Sequence, residues 1–241
     1  MACTNKCCCA FENAFDAEYA EGDLKDYLKD GPAQSTLALL RAVQSLTDVR
    51  GATVLDIGGG VGVIQWELLQ AGAQSSFDVD GSPAYIAVAR REAGRRGYGD
   101  RTGFLHGDFT QVADQVEAAD IVTLDRVICC YPDMHALVGA AAQKTRRVLA
   151  LVWPREAWWM HAGVAMFNLF ERFNQYPFVQ TLHAQRDVDA VAGAHGLDMK
   201  HAQNTGLWQV RVYARAYSKQ TCFLAFVPRI FLPLKQPGFL S

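Results

Sequence analysis

Apolar runs alternate with stretches of helical spacing along the chain, most regularly between residues 53 and 152. Short β-prone runs predict strands at 53–57, 75–79, 102–106, 120–124 and 147–152, with helices at 62–71, 83–97, 110–117 and 133–145 between them. Such alternation with short links implies right-handed crossovers and a parallel sheet clothed on both faces. Upstream, Phe11, Phe15 and Tyr19 predict a helix over 11–20. Leu37, Leu39, Leu40 and Val43 predict another over 33–48, after the punctuation of Gly31-Pro32. Downstream, residues 154–177 carry Trp158, Trp159, Met160, Met166, Phe167, Leu169, Phe170 and Phe173, more than one apolar stripe. The stretch reads equally as a helical insertion or lid and as a helix buried between the sheet and a neighbour. A helix at 185–195, Gly196, and β runs at 198–205 and 207–216 joined at Gly206 complete the pattern.

The stretch Val54-Leu55-Asp56-Ile57-Gly58-Gly59-Gly60-Val61-Gly62 passes from a strand through a glycine-dense turn into a helix N-terminus. Glycine lets a ligand lie against the main chain, and the helix start offers free N–H groups to it. A dinucleotide fingerprint counted from Gly58 would put Val63 where its third small residue belongs, so that reading is strained. A phosphate-binding P-loop needs Gly-Lys-Ser/Thr, and Gly62 is followed by Val63-Ile64, so that reading fails.

There remain an Asp two residues before the first glycine, glycines at 58, 60 and 62, and a second acidic strand end at Asp78 or Asp80. This arrangement resembles motif I of the class I S-adenosylmethionine-dependent methyltransferases. The resemblance continues in register through Phe77-Asp78-Val79-Asp80-Gly81-Ser82-Pro83, His106-Gly107-Asp108-Phe109 and Leu124-Asp125-Arg126, and covers about residues 33–217. It implies an α/β fold: a Rossmann-like, seven-stranded, mostly parallel sheet with helices on both faces, an N-terminal helical cap and a helical insertion before an antiparallel closing hairpin. On that resemblance residues 1–32 form a cysteine-bearing head and cap helix, 33–217 the methyltransferase domain and 218–241 an apolar tail.

The resemblance also assigns roles. Asp56, Gly58, Gly59, Gly60 and Gly62 form the loop around the methionine end of S-adenosyl-L-methionine. Asp80, with Gly81 and Ser82 in the next turn, takes the ribose hydroxyls; Asp78 is its competitor by register, and the Ser-Pro after Asp80 favours Asp80. An Asp before Ser-Pro is also an ordinary helix cap. Asp108 resembles the acceptor of the adenine amino group with Phe109 beside the ring, while a polar turn residue is the plainer reading. Asp125 and Arg126 fall beside the sulfonium.

Methyl transfer from a sulfonium is an in-line displacement whose leaving group needs no protonation, and alignment can supply up to roughly 7 to 11 kcal/mol. S-adenosyl-L-homocysteine is the product. A base is needed only for an acceptor that arrives protonated, with His106, His135, His161 and Tyr131 as candidates; Arg126, Tyr131 and His135 form the expected catalytic set. His183, before a helix, reads as a cap or packing residue. The Phe/Tyr helices, the Tyr131-Pro132-Asp133 loop and the insertion are most similar to O-methyltransferases of the ubiquinone and magnesium-protoporphyrin type, which implies a small-molecule methyl acceptor.

Composition narrows the partners. Half of the 241 residues are apolar, enough for one large domain with trimmings. A formal charge of −2 without a basic stripe argues against nucleic acid. No basic segment followed by an apolar core marks a signal peptide and no apolar run reaches the ~20 residues of a membrane span, so a cytoplasmic protein is expected. The tail, apolar but broken by Pro228 and Pro233, is expected to pack on the domain or on a second subunit, leaving a homodimer open. Among seven cysteines, Cys3, Cys7, Cys8 and Cys9 crowd the head and Cys129-Cys130 follows the fourth strand. The spacing matches no zinc pair, so no metal site is expected. Soft thiolates nevertheless keep a thiol or metalloid methyltransferase open, beside a non-catalytic cofactor- or metal-binding protein and a nicotinamide dehydrogenase.

Overall fold

The computed structural model describes residues 14–173 and 180–215, with 170–173 described by backbone alone. Helices α1 (Ala17–Asp30) and α2 (Gln34–Leu46) precede β1 (Thr53–Ile57), α3 (Val63–Gln70), β2 (Ser75–Asp80), α4 (Pro83–Arg96) and β3 (Thr102–His106). There follow α5 (Phe109–Val112), β4 (Ala119–Asp125), α6 (Met134–Lys144), β5 (Thr145–Pro154), α7 (Trp158–Phe173), α8 (Gln185–Ala194), β6 (Leu197–Thr205) and β7 (Trp208–Arg215). The strands form one sheet in the order β3-β2-β1-β4-β5-β7-β6. Strands β1 to β5 run parallel, and β7 is antiparallel to both β5 and β6.

Successive strand side chains point to opposite faces, and β5 shows how this builds two cores. Val148, Ala150 and Val152 join Leu39, Val43, Trp66 and Val88 of α2, α3 and α4 on one face. Leu149, Leu151 and Trp153 join Leu137, Val138, Val188 and Ala192 of α6 and α8 on the other. Burial on both faces explains why these strands read as continuous apolar runs. Chain direction across the sheet reverses between β1 and β4, where a crevice opens beyond the strands' carboxyl ends.

Three expectations change. The helix expected over 11–20 begins at Ala17, because the Asp16 carboxylate accepts from the Tyr19 N–H and caps it; it then runs to Asp30 with Ala20, Leu24 and Tyr27 buried. Phe11 lies outside the described residues, as do Cys3, Cys7, Cys8, Cys9 and the tail 218–241. The helix expected over 110–117 is one α turn and a 3₁₀ turn at Ala113–Gln115, because Val116 is drawn extended into the core ahead of β4. In the stretch 154–177, of which 174–177 lie outside the described residues, α7 is exposed rather than buried: Trp158 is 83% and Met166 70% accessible.

These exposures set opposite costs for two tryptophans. Trp153→Ala removes a fully buried side chain and should cost about 3–5 kcal/mol. Trp158→Ala should stay within about 0.5 kcal/mol. Urea unfolding of both variants checks the contrast.

Candidate active site

The loop after β1 is held by the neighbouring strands. Gly58 donates its N–H to the Val79 carbonyl at 2.8 Å, and its φ of 67° is a conformation side chains resist. A Cβ there would lie 2.6 Å from Val127 Cγ2, and one on Gly59 would lie 2.7 Å from Asp78 Oδ1. The Gly59 N–H donates to Asp78 Oδ1 at 3.1 Å and the Gly60 N–H to Asp80 Oδ2 at 3.0 Å. Gly62 caps α3 in the left-handed region. Thus β2 sets the path of the loop.

Beneath it lies a polar rung. Asp56 pairs in register with Asp78 on β2 and with Thr123 on β4. Thr123 Oγ1 donates to Asp56 Oδ1 at 2.6 Å, whereas Asp56 Oδ2, Asp78 Oδ2 and Gln65 Nε2 have no hydrogen-bond partner. Burial pushes the Asp56 carboxyl up to about 7, against the Thr123 hydrogen bond, and Asp125 and Asp80 add to the rise. Burial raises Asp78 as well, reinforced by Asp80 and Asp56. Protons are therefore held under the loop at neutral pH.

Asp80 stands at the rim instead. Its Oδ1 accepts from the Ser82 N–H at 2.7 Å and its Oδ2 from Gly60, and each oxygen keeps a further lone pair. Burial raises its carboxyl although both N–H groups and His106 oppose the rise. Ser82 caps α4 by accepting from the Tyr85 N–H and donates to the Phe15 carbonyl at 2.7 Å. Beside Asp80 opens a narrow slot of ≈ 50 Å³ lined by Ile57, Gly58, Val79, Gly81, Asp108 and Phe109, with Val127, Tyr131 and Leu137 opposite. Asp108 caps α5 through the Thr110 N–H, and its carboxylate accepts from the Tyr131 hydroxyl at 3.0 Å. The capping reading and the slot-edge reading of Asp108 therefore hold together.

A third group gathers after β4. Asp125 Oδ2 accepts from Thr36 Oγ1 of α2 at 2.5 Å, and its Oδ1 lies 3.3 Å from Arg126 Nε. Arg126 has a φ of 63°, the one non-glycine positive φ among the described residues. Its N–H donates to the Val152 carbonyl at 2.9 Å, and its half-exposed guanidinium lies 5.9 Å from the centre of the Trp208 ring. Tyr19 of α1 lies within electrostatic reach of both Arg126 and Cys130. Cys129 is buried and Cys130 half-buried, in a 3₁₀ turn over Ile128–Cys130.

Of the base candidates, His106 lies on β3, its Nε2 3.1 Å from the Gly81 carbonyl oxygen, on the far side of Asp80 from β4. His135 is exposed on the first turn of α6 and His161 is exposed on α7. His183 Nε2 donates to the Tyr131 carbonyl at 3.1 Å, and burial lowers its pKa, so it braces the loop as a neutral ring. Thr36, Trp208 and Val127 were not singled out in the sequence, since each reaches the site only through the folded sheet. The Leu124-Asp125-Arg126 strand end was the only local signal nearby.

Residues 54–150 match the family model of a methyltransferase domain. No curated protein matches the chain by sequence. Magnesium protoporphyrin IX methyltransferase from Synechocystis PCC 6803, solved with bound S-adenosylhomocysteine, is 19% identical with a TM-score of 0.67, covering 85% of this chain and 98% of that one. The same enzyme with S-adenosylmethionine gives 18% and 0.68, covering 90% and 100%. An O-methyltransferase family protein from Burkholderia thailandensis is 20% identical with a TM-score of 0.62, covering 86% and 64%. These likenesses establish the fold.

The buried rung generates a pH prediction. Folding raises Asp56 above the ordinary ~3.9 of an unfolded chain, so its neutral form is favoured in the fold. The stability this contributes is full below the unfolded value and is lost as pH rises through about 7. The urea midpoint should fall between pH 5 and pH 8, and less steeply in Asp56→Asn. Equal slopes in the two proteins would refute the assignment.

Proposed function

We propose that this chain, a class I S-adenosylmethionine-dependent methyltransferase by its matched domain and its fold, methylates an oxygen of a small-molecule acceptor. The observation that carries the reading is the position of Asp80, aimed at the rim between the glycine loop and the slot with acceptor capacity to spare. The residues present fit the cofactor. Asp80 suits a pair of ribose hydroxyls, and an apolar slot edged by Asp108 suits a flat base carrying an amino group. The glycines give the main chain room to approach it.

S-adenosylmethionine, when bound, supplies a methyl group on a sulfonium that leaves as a neutral thioether. The chain's task is then to bind, align and exclude water. Asp80, Gly81 and Ser82 hold the ribose, and Asp108 and Phe109 the base. Gly58, Gly59, Gly60 and Gly62 line the methionine end, with Asp56 bracing the loop through the rung. Asp125 lies at the methyl-bearing end, steadied by Thr36.

Arg126 is the group we assign to the acceptor. Side chains in the left-handed region cost of order 1–3 kcal/mol and persist where the surroundings over-determine them. Here Val152 fixes the amide while Asp125 and Trp208 hold the guanidinium at the crevice mouth. A guanidinium there pairs with a carboxylate, phenolate or enolate oxygen. Such an acceptor arrives deprotonated and needs no base. This suits the engagement of the Tyr131 hydroxyl by Asp108 and Thr110 and the exposure of His135, neither of which is needed for proton removal.

Calorimetric titration should show S-adenosylhomocysteine binding and no NADH binding. Asp80→Ala should weaken that binding by roughly 1 to 3 kcal/mol, because ribose hydroxyls lose their acceptor. Unchanged affinity would remove Asp80 from the ribose. Arg126→Gly suits the backbone and deletes the cation, so it should keep the fold and the affinity for S-adenosylhomocysteine. Its kcat/KM for a carboxylate or phenol acceptor should fall about 10- to 100-fold, the loss expected for a charge-assisted hydrogen bond. Release of S-adenosylhomocysteine is the readout, and an undiminished rate would remove Arg126 from the acceptor.

A further inference from the structure

The sulfurs of Cys129 and Cys130 lie 3.6 Å apart, and both lie near the Arg126 carbonyl oxygen, at 3.4 and 3.7 Å. Methyl transfer as derived above uses neither thiol. Their separation is far beyond the ~2.05 Å of a disulfide. It is the bite of two thiolates on one atom: with bonds of ~2.3 Å, sulfurs 3.6 Å apart subtend about 100°. A linear two-coordinate ion would instead need sulfurs about 4.6 Å apart. A tetrahedral ion would need two further donors, and no group of three or more His, Cys, Asp or Glu suited to a metal occurs among the described residues. A pyramidal trivalent atom that brings its own third substituent needs only the two sulfurs.

We propose that Cys129 and Cys130 form a dithiol site for a monosubstituted trivalent arsenical or an equivalent thiophile. The half-buried Cys130 is the entry point, and the second bond closes onto Cys129, 3.6 Å away. The Cys130 S–H hydrogen bond lowers the Cys129 pKa, as does the nearby Arg126 guanidinium, while the same hydrogen bond raises Cys130. Cys129 is thereby the readier thiolate and the better second nucleophile. Capture is a condensation: two S–H groups and one As=O become two As–S bonds and one water. Arsenic stays trivalent throughout, and no oxidant or reductant takes part.

The site does not depend on the identity of the methyl acceptor, so its failure would leave the methyl-transfer reading standing. The test uses the full chain with Cys3, Cys7, Cys8, Cys9 and Cys222 replaced by Ser, treated with one equivalent of phenylarsine oxide and read by intact mass. A one-to-one adduct that has lost water is expected, stable to excess monothiol and removed by 2,3-dimercaptopropanol. Cys130→Ser and Cys129→Ser should each abolish the monothiol-resistant adduct, and retained S-adenosylhomocysteine binding by Cys130→Ser shows that its fold is intact. No adduct in the parent protein, or a resistant adduct persisting in Cys130→Ser, would overturn the proposal.

Discussion

The site depends on two backbone amides meeting two carboxylates. Gly59 and Gly60 donate to Asp78 and Asp80, two residues apart on the strand beside the loop. Side chains two apart on a strand share a face, so a single strand supplies both anchors. One anchor is sealed beneath the loop and the other stands at its rim. Burying carboxyl groups is costly, and the raised pKa values of Asp56, Asp78 and Asp80 record that cost. What it secures is a fixed loop path, and with it a slot of defined shape.

The acceptor side is assembled differently. Its parts come from α1, α2, the ends of β4 and β5, and the first residue of β7, and they meet only because β7 inserts beside β5 and α2 packs across that face. Thr36 and Asp125 stand 89 residues apart in the chain and share one short hydrogen bond. The cofactor half of the site is thus local in sequence and the acceptor half is not.

That difference decided what the sequence could reveal. Strands buried on both faces announce themselves as apolar runs, and the elements from β1 to β5 lie close to their expected positions. Asp80 was legible because a strand end followed by Ser-Pro is a local signal. Two boundaries slipped for local reasons with tertiary consequences: the Asp16 cap moved the start of α1, and the burial of Val116 cut α5 short. The hydrogen bond from Tyr131 to Asp108 was not legible, since nothing in Tyr131-Pro132-Asp133 says where a returning loop will place its hydroxyl. The exposure of α7 was undecidable for the same reason: an aromatic-rich helix reads alike whether a partner covers it or solvent does.

Three hydrogen bonds join the segment after α7 to the turn after β4. The Thr181 N–H donates to the Cys129 carbonyl at 2.7 Å, His183 Nε2 to the Tyr131 carbonyl, and Trp153 Nε1 to the His183 carbonyl at 3.2 Å. Tyr131 in turn grips the carboxylate at the edge of the slot. The exposed helix and the cofactor slot are thus opposite ends of one mechanical linkage. Any molecule that settles on α7 and shifts its return strand does work on the slot, and by thermodynamic reciprocity a filled slot biases where α7 rests.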